Sequence, residues 1–301
     1  MPDLLVALML SLAVLIGWLG VIRLTRSVRH TSLTAATAWA IWFQVTLTVT
    51  TIATLAKDRV PLGILDQFWY LTAVSALCPF VAVLGARRGR LLEWSFFIVL
   101  PLIVVLEWPA VVQLARCANG QRLELETPAV VAYGFLLLMS VSAACGTDRS
   151  ASALSLWICT WLAVVGVRWS ALSLNHEERG YALIFVPFGL VGFWSLATAA
   201  LRRSNMHSGW ERVWFDFQKV FGSLWAMRVA LRLNEVAVRE QWPWRFMLHG
   251  LQSPPGEAAS PSSPTDDPRV DRAFRWLLKP FVDPEWIDER LNATTLTKSE
   301  P

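Results

Sequence analysis

Seven long apolar runs, separated by short polar loops, make up the first two thirds of the chain. Read with a window of about 19 residues, each run is long enough to cross roughly 30 Å of hydrocarbon as a helix. The runs cover residues 4–22, 34–56, 68–86, 94–114, 128–146, 151–170 and 181–201. The pattern predicts an all-α membrane protein whose residues 1–203 form a bundle of seven transmembrane helices.

The loops between these runs differ in their content of cations. Taken alternately, one set of loops holds nine Lys and Arg residues and the other set holds five. Because cytoplasmic loops are richer in Lys and Arg, this difference predicts that the N-terminus lies outside and the C-terminus inside. Asp3 precedes the first run, and its arginines follow it, which indicates an uncleaved span rather than a signal peptide. We therefore expect a multi-pass protein of a bacterial-type cytoplasmic membrane.

The composition agrees with this environment. Hydrophobic residues make up 54% of the chain and charged residues 17%, whereas soluble domains carry about 25% charged residues. The net charge is +4, and the arginines cluster beside apolar runs instead of forming the dense basic face of a nucleic-acid binder. The expected partner is therefore the lipid bilayer and not a nucleic acid.

Beyond the last run, residues 204–252 have an amphipathic pattern. Within 209–242, apolar residues recur in steps of three and four, which predicts one apolar helix face: Val213, Phe217, Val220, Leu224, Met227 and Leu231. Gly222 can bend or divide this helix. Another face carries Arg228, Arg232 and Arg239, which we expect to face anionic lipid head groups. The alternation around Phe246 predicts a short strand.

Residues 253–268 form a linker rich in Pro and Ser, and residues 269–301 are predicted to form amphipathic helices and a tail. Neither side of the linker is long enough to bury a convincing core alone. The apolar faces are therefore expected to cover the membrane surface, the cytoplasmic ends of the bundle, or a second protein chain. Residues 209–251 are the expected contact surface for a cytoplasmic partner or a second copy.

Ionisable residues are rare inside the apolar runs, and only Glu107 and Arg168 qualify. Each precedes a Trp in the outer third of its predicted span. One interpretation makes them a polar site in an outward-facing cavity. The favoured one places both at the outer interface, where they reach water or head groups. Gln44, Thr48 and Thr51 share a face of the second run, where helix packing is favoured over a substrate path.

Several functions are excluded or made unlikely by the residues present. The run at 181–201 has no Lys for a retinal Schiff base, and the four His residues lie outside all seven runs, which argues against haem. HExxH, Walker A and GxSxG motifs are absent from the sequence. We therefore expect no cofactor, no metal and no catalytic residues.

Three functions fit these observations. The first is a non-enzymatic membrane protein whose cytoplasmic region docks on the membrane or on a partner, in a scaffold or assembly role. The alternative is a transporter or permease that uses a polar site at Glu107 and Arg168. The third is a seven-helix sensor. An intramembrane enzyme is the least favoured, because the spans lack a cluster of acids, His or Ser that would suit catalysis.

Overall fold

The computed structural model is mostly helical and describes about two thirds of the chain. The described residues are 2–86, 91–142, 209–242, 245–252 and 268–296, with isolated helical residues between 154 and 165. The seventh predicted segment, most of the sixth and Arg168 lie outside the described residues.

The first four predicted segments each overlap a helix long and apolar enough to cross a membrane: Ala7–Arg26, Thr34–Leu55, Leu62–Leu84 and Ser95–Val112. The fifth contains a shorter apolar helix. The number of spans beyond four, and the orientation of the bundle, stay predictions. The elements in this part of the chain are α1 (Pro2–Ser27), α2 (Thr34–Leu55), α3 (Leu62–Leu84), α4 (Leu91–Trp94), a π-helical turn (Ser95–Val99), α5 (Leu100–Val112), α6 (Leu114–Ala118) and α7 (Thr127–Ser142).

Helix α3 is the centre of the bundle. It packs against α2, α5, α6 and α7, and α2 also packs against α1. Most side chains of α3 are buried, whereas large apolar side chains such as Leu15 of α1, Phe97 of the π-helical turn and Trp108 of α5 stay exposed. An apolar outer surface around a buried central helix is the arrangement expected of helices that face lipid.

The C-terminal elements form one compact unit on both sides of the linker. They are α8 (Gly209–Arg239), the hairpin of β1 (Arg245–Met247) and β2 (Gly250–Gln252), α9 (Pro268–Leu278) and α10 (Pro284–Leu296). Trp210 stacks on Phe274 with ring centroids 4.6 Å apart, and Phe246 meets Phe274 edge to face at 4.8 Å. Arg290 binds Asp216 at 3.0 Å, and burial lowers the pKa of Arg290 while Asp216 opposes this effect.

This unit is attached to one end of the bundle, which we call the docked end and which comprises residues 28–33 and 82–86. Ser32 donates its backbone N–H to the carbonyl of Phe281 at 2.7 Å and its hydroxyl to the carbonyl of Ala86 at 2.6 Å. The Trp225 indole donates to the carbonyl of Val83 at 2.9 Å. Buried residues of the docked end and of the C-terminal unit belong to one apolar core. Among the described contacts, the C-terminal apolar faces are therefore covered mainly by one another and in part by the bundle end.

The prediction of one continuous apolar face along residues 209–242 is wrong beyond Gly222. Gly222 has φ 83° and ψ 171°, a non-helical conformation that divides α8. Val213 and Phe217 are buried as predicted, but Met227 and Leu231 are 49% and 60% exposed. The buried side chains after the kink are Ala226, Val229, Ala230, Leu233 and Ala237. The kink changes the helical phase, so that predicted core residues lie on the surface.

The conformation of Gly222 predicts a specific effect of adding one methyl group. This region of backbone space is open almost only to Gly, so Gly222→Ala should lower the free energy of unfolding of the C-terminal unit by about 1–3 kcal/mol. Gly20→Ala is the matched control, because no atom lies within 4 Å of the added Cβ in α1. Denaturant unfolding of the full chain in detergent measures both variants. If Gly222→Ala and Gly20→Ala unfold at the same denaturant midpoint, the non-helical conformation assigned to Gly222 is wrong.

Candidate functional site

Glu107 lies on the side of α5 that turns towards α3. Its neighbours Leu106 and Ala110 are buried, and Trp108 is exposed on the other side of the helix. One carboxylate oxygen of Glu107, Oε1, is buried and has no hydrogen-bond partner among the described residues. An uncompensated charge at such a position is costly. Arg168 lies outside the described residues, so its pairing with Glu107 stays a prediction.

Side chains of α3 hold α5 beside this carboxylate. The Tyr70 hydroxyl donates to the carbonyl of Leu106, and the Gln67 side-chain amide donates to the carbonyl of Ala110, both at 2.6 Å. The two donors are three residues apart on α3, and the two acceptors are four residues apart on α5. They flank Pro109, which cannot donate a backbone hydrogen bond and so weakens the helix locally. The bonds from α3 thus fix α5 where its own backbone ladder is interrupted.

An ion pair between the buried Asp66 and the partly exposed Arg122, which the sequence did not reveal, lies at the same end of α3. Arg122 donates to both carboxylate oxygens of Asp66, at 2.6 and 3.0 Å, and the backbone N–H of Leu123 adds a third bond at 3.3 Å. Asp66 is 2% exposed. The sequence placed it in a loop because the third apolar run was expected to begin at residue 68, whereas α3 begins at Leu62. The sequence did hold a signal that the helix begins earlier. Leu65, Trp69 and Ala73 recur in steps of four, and all three are buried.

The polar face predicted on α2 is used in contacts between helices. Gln44 donates to the carbonyl of Val14 on α1 at 3.0 Å, and a Cβ added to Gly17 would lie 2.3 Å from the Gln44 side-chain oxygen. The Trp18 indole donates to the Thr48 hydroxyl at 3.2 Å. The Thr51 hydroxyl is buried and has no partner among the described residues.

The described contacts of these α2 residues and of Glu107 are with different helices. Gln44 and Thr48 make their contacts with α1, whereas Glu107 lies on α5, whose neighbours include α3 and α7. The geometry on α2 is therefore that of helix packing, in which a small residue on α1 admits a polar side chain from α2.

The predicted basic face of α8 lines an open groove of about 1190 Å³ between the second half of α8 and α9. We call it the α8–α9 groove. Four cations border it: Arg228, Arg232, Arg239 and Lys279. Glu235 is the one acid among its lining residues and binds Arg232 at 2.8 Å. The three arginines are exposed, as the sequence led us to expect, and they surround a concave surface.

Apolar side chains form the rest of the groove. Val229, Val236 and Phe281 lie along it, and Leu231 and Trp276 stand at its border with 60% and 70% of their surface exposed. A large exposed Trp beside exposed aliphatic side chains is unusual outside a contact surface. The groove therefore combines an apolar interior with a cationic border, which is the chemistry of a docking site.

A second polar cluster lies at the docked end. Ligand atoms of His30, Asp283 and Glu285 lie within 4.8 Å of one another. A backbone hydrogen bond joins the bundle and the C-terminal unit here, since the N–H of Asp283 donates to the carbonyl of His30 at 2.9 Å. The cluster offers three ligand atoms on largely solvent-accessible side chains, fewer than the four of a structural zinc site. We interpret this cluster as a polar contact between the bundle and the C-terminal unit rather than as a metal centre.

No protein-family model matches the chain, and no curated protein or solved structure is significantly similar to it. The function is therefore argued from the geometry of the described residues. Of the polar features above, the buried contacts of α2 and α3 hold helices together, whereas the α8–α9 groove is open to a second molecule.

The pair of Asp66 and Arg122 predicts a difference in stability between two conservative substitutions. Asp66→Asn removes the carboxylate that accepts hydrogen bonds from Arg122 and from the backbone of Leu123, and the loss of such charged hydrogen bonds costs about 1.5–3 kcal/mol. Glu235→Gln breaks the exposed pair with Arg232 and should cost at most about 1 kcal/mol. Thermal unfolding of the full chain in detergent compares them. If both variants unfold at the same temperature, the Asp66–Arg122 pair does not hold this end of the bundle.

Proposed function

We propose that this protein is a non-enzymatic docking protein of the membrane, in a scaffold or assembly role. The apolar helices anchor it in the bilayer, and the C-terminal unit presents the α8–α9 groove to a second macromolecule. The observation that carries the proposal is the groove itself, which leaves Leu231 and Trp276 exposed beside four cations. The absence of familiar catalytic motifs from the sequence supports a binding role.

The attachment of the C-terminal unit supports the same role. Hydrogen bonds at Ser32 and Trp225, together with a shared apolar core, hold the groove at a fixed place relative to the bundle. Trp225 itself belongs to the groove lining, so the groove begins beside the end of α3. A binding surface that is held before the partner arrives loses less conformational entropy on binding.

The proposal assigns the docked end to the cytoplasm. Arg23, Arg26 and Arg29 lie in the last turns of α1 and in the loop that follows, next to the docked end. The loops on the same predicted side hold nine of the fourteen loop cations. Because cations concentrate on the cytoplasmic side, a partner of the groove would be a cytoplasmic protein or domain.

Site-specific photo-crosslinking tests this function in intact membranes. A photoreactive amino acid in place of Leu231 should form adducts with a second macromolecule, because this position is exposed at the groove. The same substitution at Arg272, which is exposed on α9 outside the groove lining, is the matched control and should form none. Adding Trp276→Asp should abolish the adducts from position 231. Identical adducts from both positions, or none from either, would contradict the docking role.

A permease is the second candidate, and the buried oxygen of Glu107 favours it. A permease needs water to reach this carboxylate from one side of the membrane. In a chain whose native cysteines are replaced by Ala, Glu107→Cys should then react with a membrane-impermeant maleimide. Val105→Cys, at a position that is 68% exposed on the apolar surface of α5, should not react, because lipid excludes the reagent. If the Glu107→Cys variant does not react either, water does not reach this position and the permease proposal is wrong.

A further inference from the structure

We propose that the α8–α9 groove binds an acidic amphipathic helix of a partner protein. The inference rests on the proposed docking function and names the chemistry of its partner. It follows from three properties of the described groove: the balance of charges at its border, its length and its concave shape.

The charges at the border favour an anionic partner. Three arginines and Lys279 face one carboxylate, that of Glu235, among the lining residues. Two of these arginines already have acidic partners, since Arg232 binds Glu235 at 2.8 Å and Arg239 lies 3.6 Å from Glu240, while Arg228 lies over the Trp225 ring at 5.0 Å. Among the described residues, neither Arg228 nor Lys279 has an acidic partner within 4 Å. A ligand with carboxylates along its sides would compensate these cations, and association would then depend strongly on salt.

The length and the apolar interior favour a helix. Residues 228–239 rise by roughly 17 Å along α8, which corresponds to about three turns of a second helix laid beside it. Val229 and Val236 lie seven residues apart, so both point to the same side of α8, next to the stripe of arginines; Val229 is buried and Val236 is partly exposed. Leu277 and Phe281 face them from the other side of the groove. An apolar stripe flanked by acids fits this pattern, as in other recognition of a helix by a groove.

The concave shape decides between a helix and an anionic membrane surface. A flat bilayer would meet the exposed Leu231 and Trp276 at the border but would leave the partly exposed Val236 and Leu277 in the interior uncovered. A helix fills the interior and reaches the cations on both sides with its own side chains. The membrane surface is therefore the weaker occupant, although it satisfies the same cations.

Binding of designed peptides to the full chain in nanodiscs of neutral lipid tests the inference. The probe is a helix of roughly 14 residues with a Leu stripe flanked by Glu. Its two controls are the same peptide with Lys in place of Glu and a scrambled acidic peptide of equal composition. Fluorescence anisotropy should show the acidic amphipathic helix binding at least about tenfold more tightly than either control. Added salt should weaken this binding.

Charge reversal in the groove supplies the second half of the test. The double variant Arg228→Glu and Arg232→Glu should invert the preference, so that the Lys peptide binds more tightly than the Glu peptide. Arg272→Glu changes the net charge on the same unit outside the groove lining and should leave the preference unchanged. Both groove residues are exposed, so the fold should persist, which circular dichroism checks.

The possible failures are distinguishable. If the peptides bind equally or the preference does not invert, the acidic-helix inference is overturned, while adducts from position 231 would keep the docking function. If anionic lipid in the nanodisc displaces the acidic peptide and position 231 crosslinks to lipid, the membrane surface is the occupant and the inference is overturned. If position 231 forms no adducts either, the docking function itself fails.

Discussion

The side chain of Phe281 joins the two parts of the protein, and the position of the groove depends on it. Its ring lies 5.5 Å from that of Phe217, 5.4 Å from that of Phe221 and 5.0 Å from that of Trp225, all in edge-to-face geometry. Its carbonyl accepts the N–H of Ser32 from the loop between α1 and α2. Such aromatic pairs contribute about 0.5–1.5 kcal/mol each beyond the burial of their area. Phe281 therefore connects α8, the segment before α10 and the bundle in one core.

The kink at Gly222 explains why this core and the groove can coexist. Before the kink, α8 directs its aromatic side chains to Phe281 and to α9. After the kink, the small residues Ala226 and Ala230 are buried, and the larger Met227 and Leu231 are exposed. A straight helix would have buried Leu231 on the same face as Phe217. The surface chemistry of the groove is thus a consequence of one backbone conformation that Gly permits.

The sequence predicted those features that depend on local periodicity. The bounds of α2, the existence of α1, the strand at Phe246 and the helices after the linker follow from apolar spacing and from turn residues, although α1 extends five residues beyond its predicted end. It did not predict the ion pair of Asp66 and Arg122, because the partners are 56 residues apart. It missed the phase change in α8, because Gly222 signals a break but not the rotation that follows. The arginines of the groove were identified, but its opposite wall comes from α9 across the linker.

The contact between residues 28–33 and 281–283 fixes the C-terminal unit to the bundle, and the proposed function depends on this attachment. Thr31 and Val282 form an antiparallel bridge there. A disulfide between Thr31→Cys and Val282→Cys, with a protease site inserted in the Pro/Ser linker, measures whether the contact forms. We predict that, after cleavage and denaturation, the two fragments stay joined until a reductant is added. Fragments that separate without reductant would show that this contact does not form and that the groove is not held at the end of the bundle.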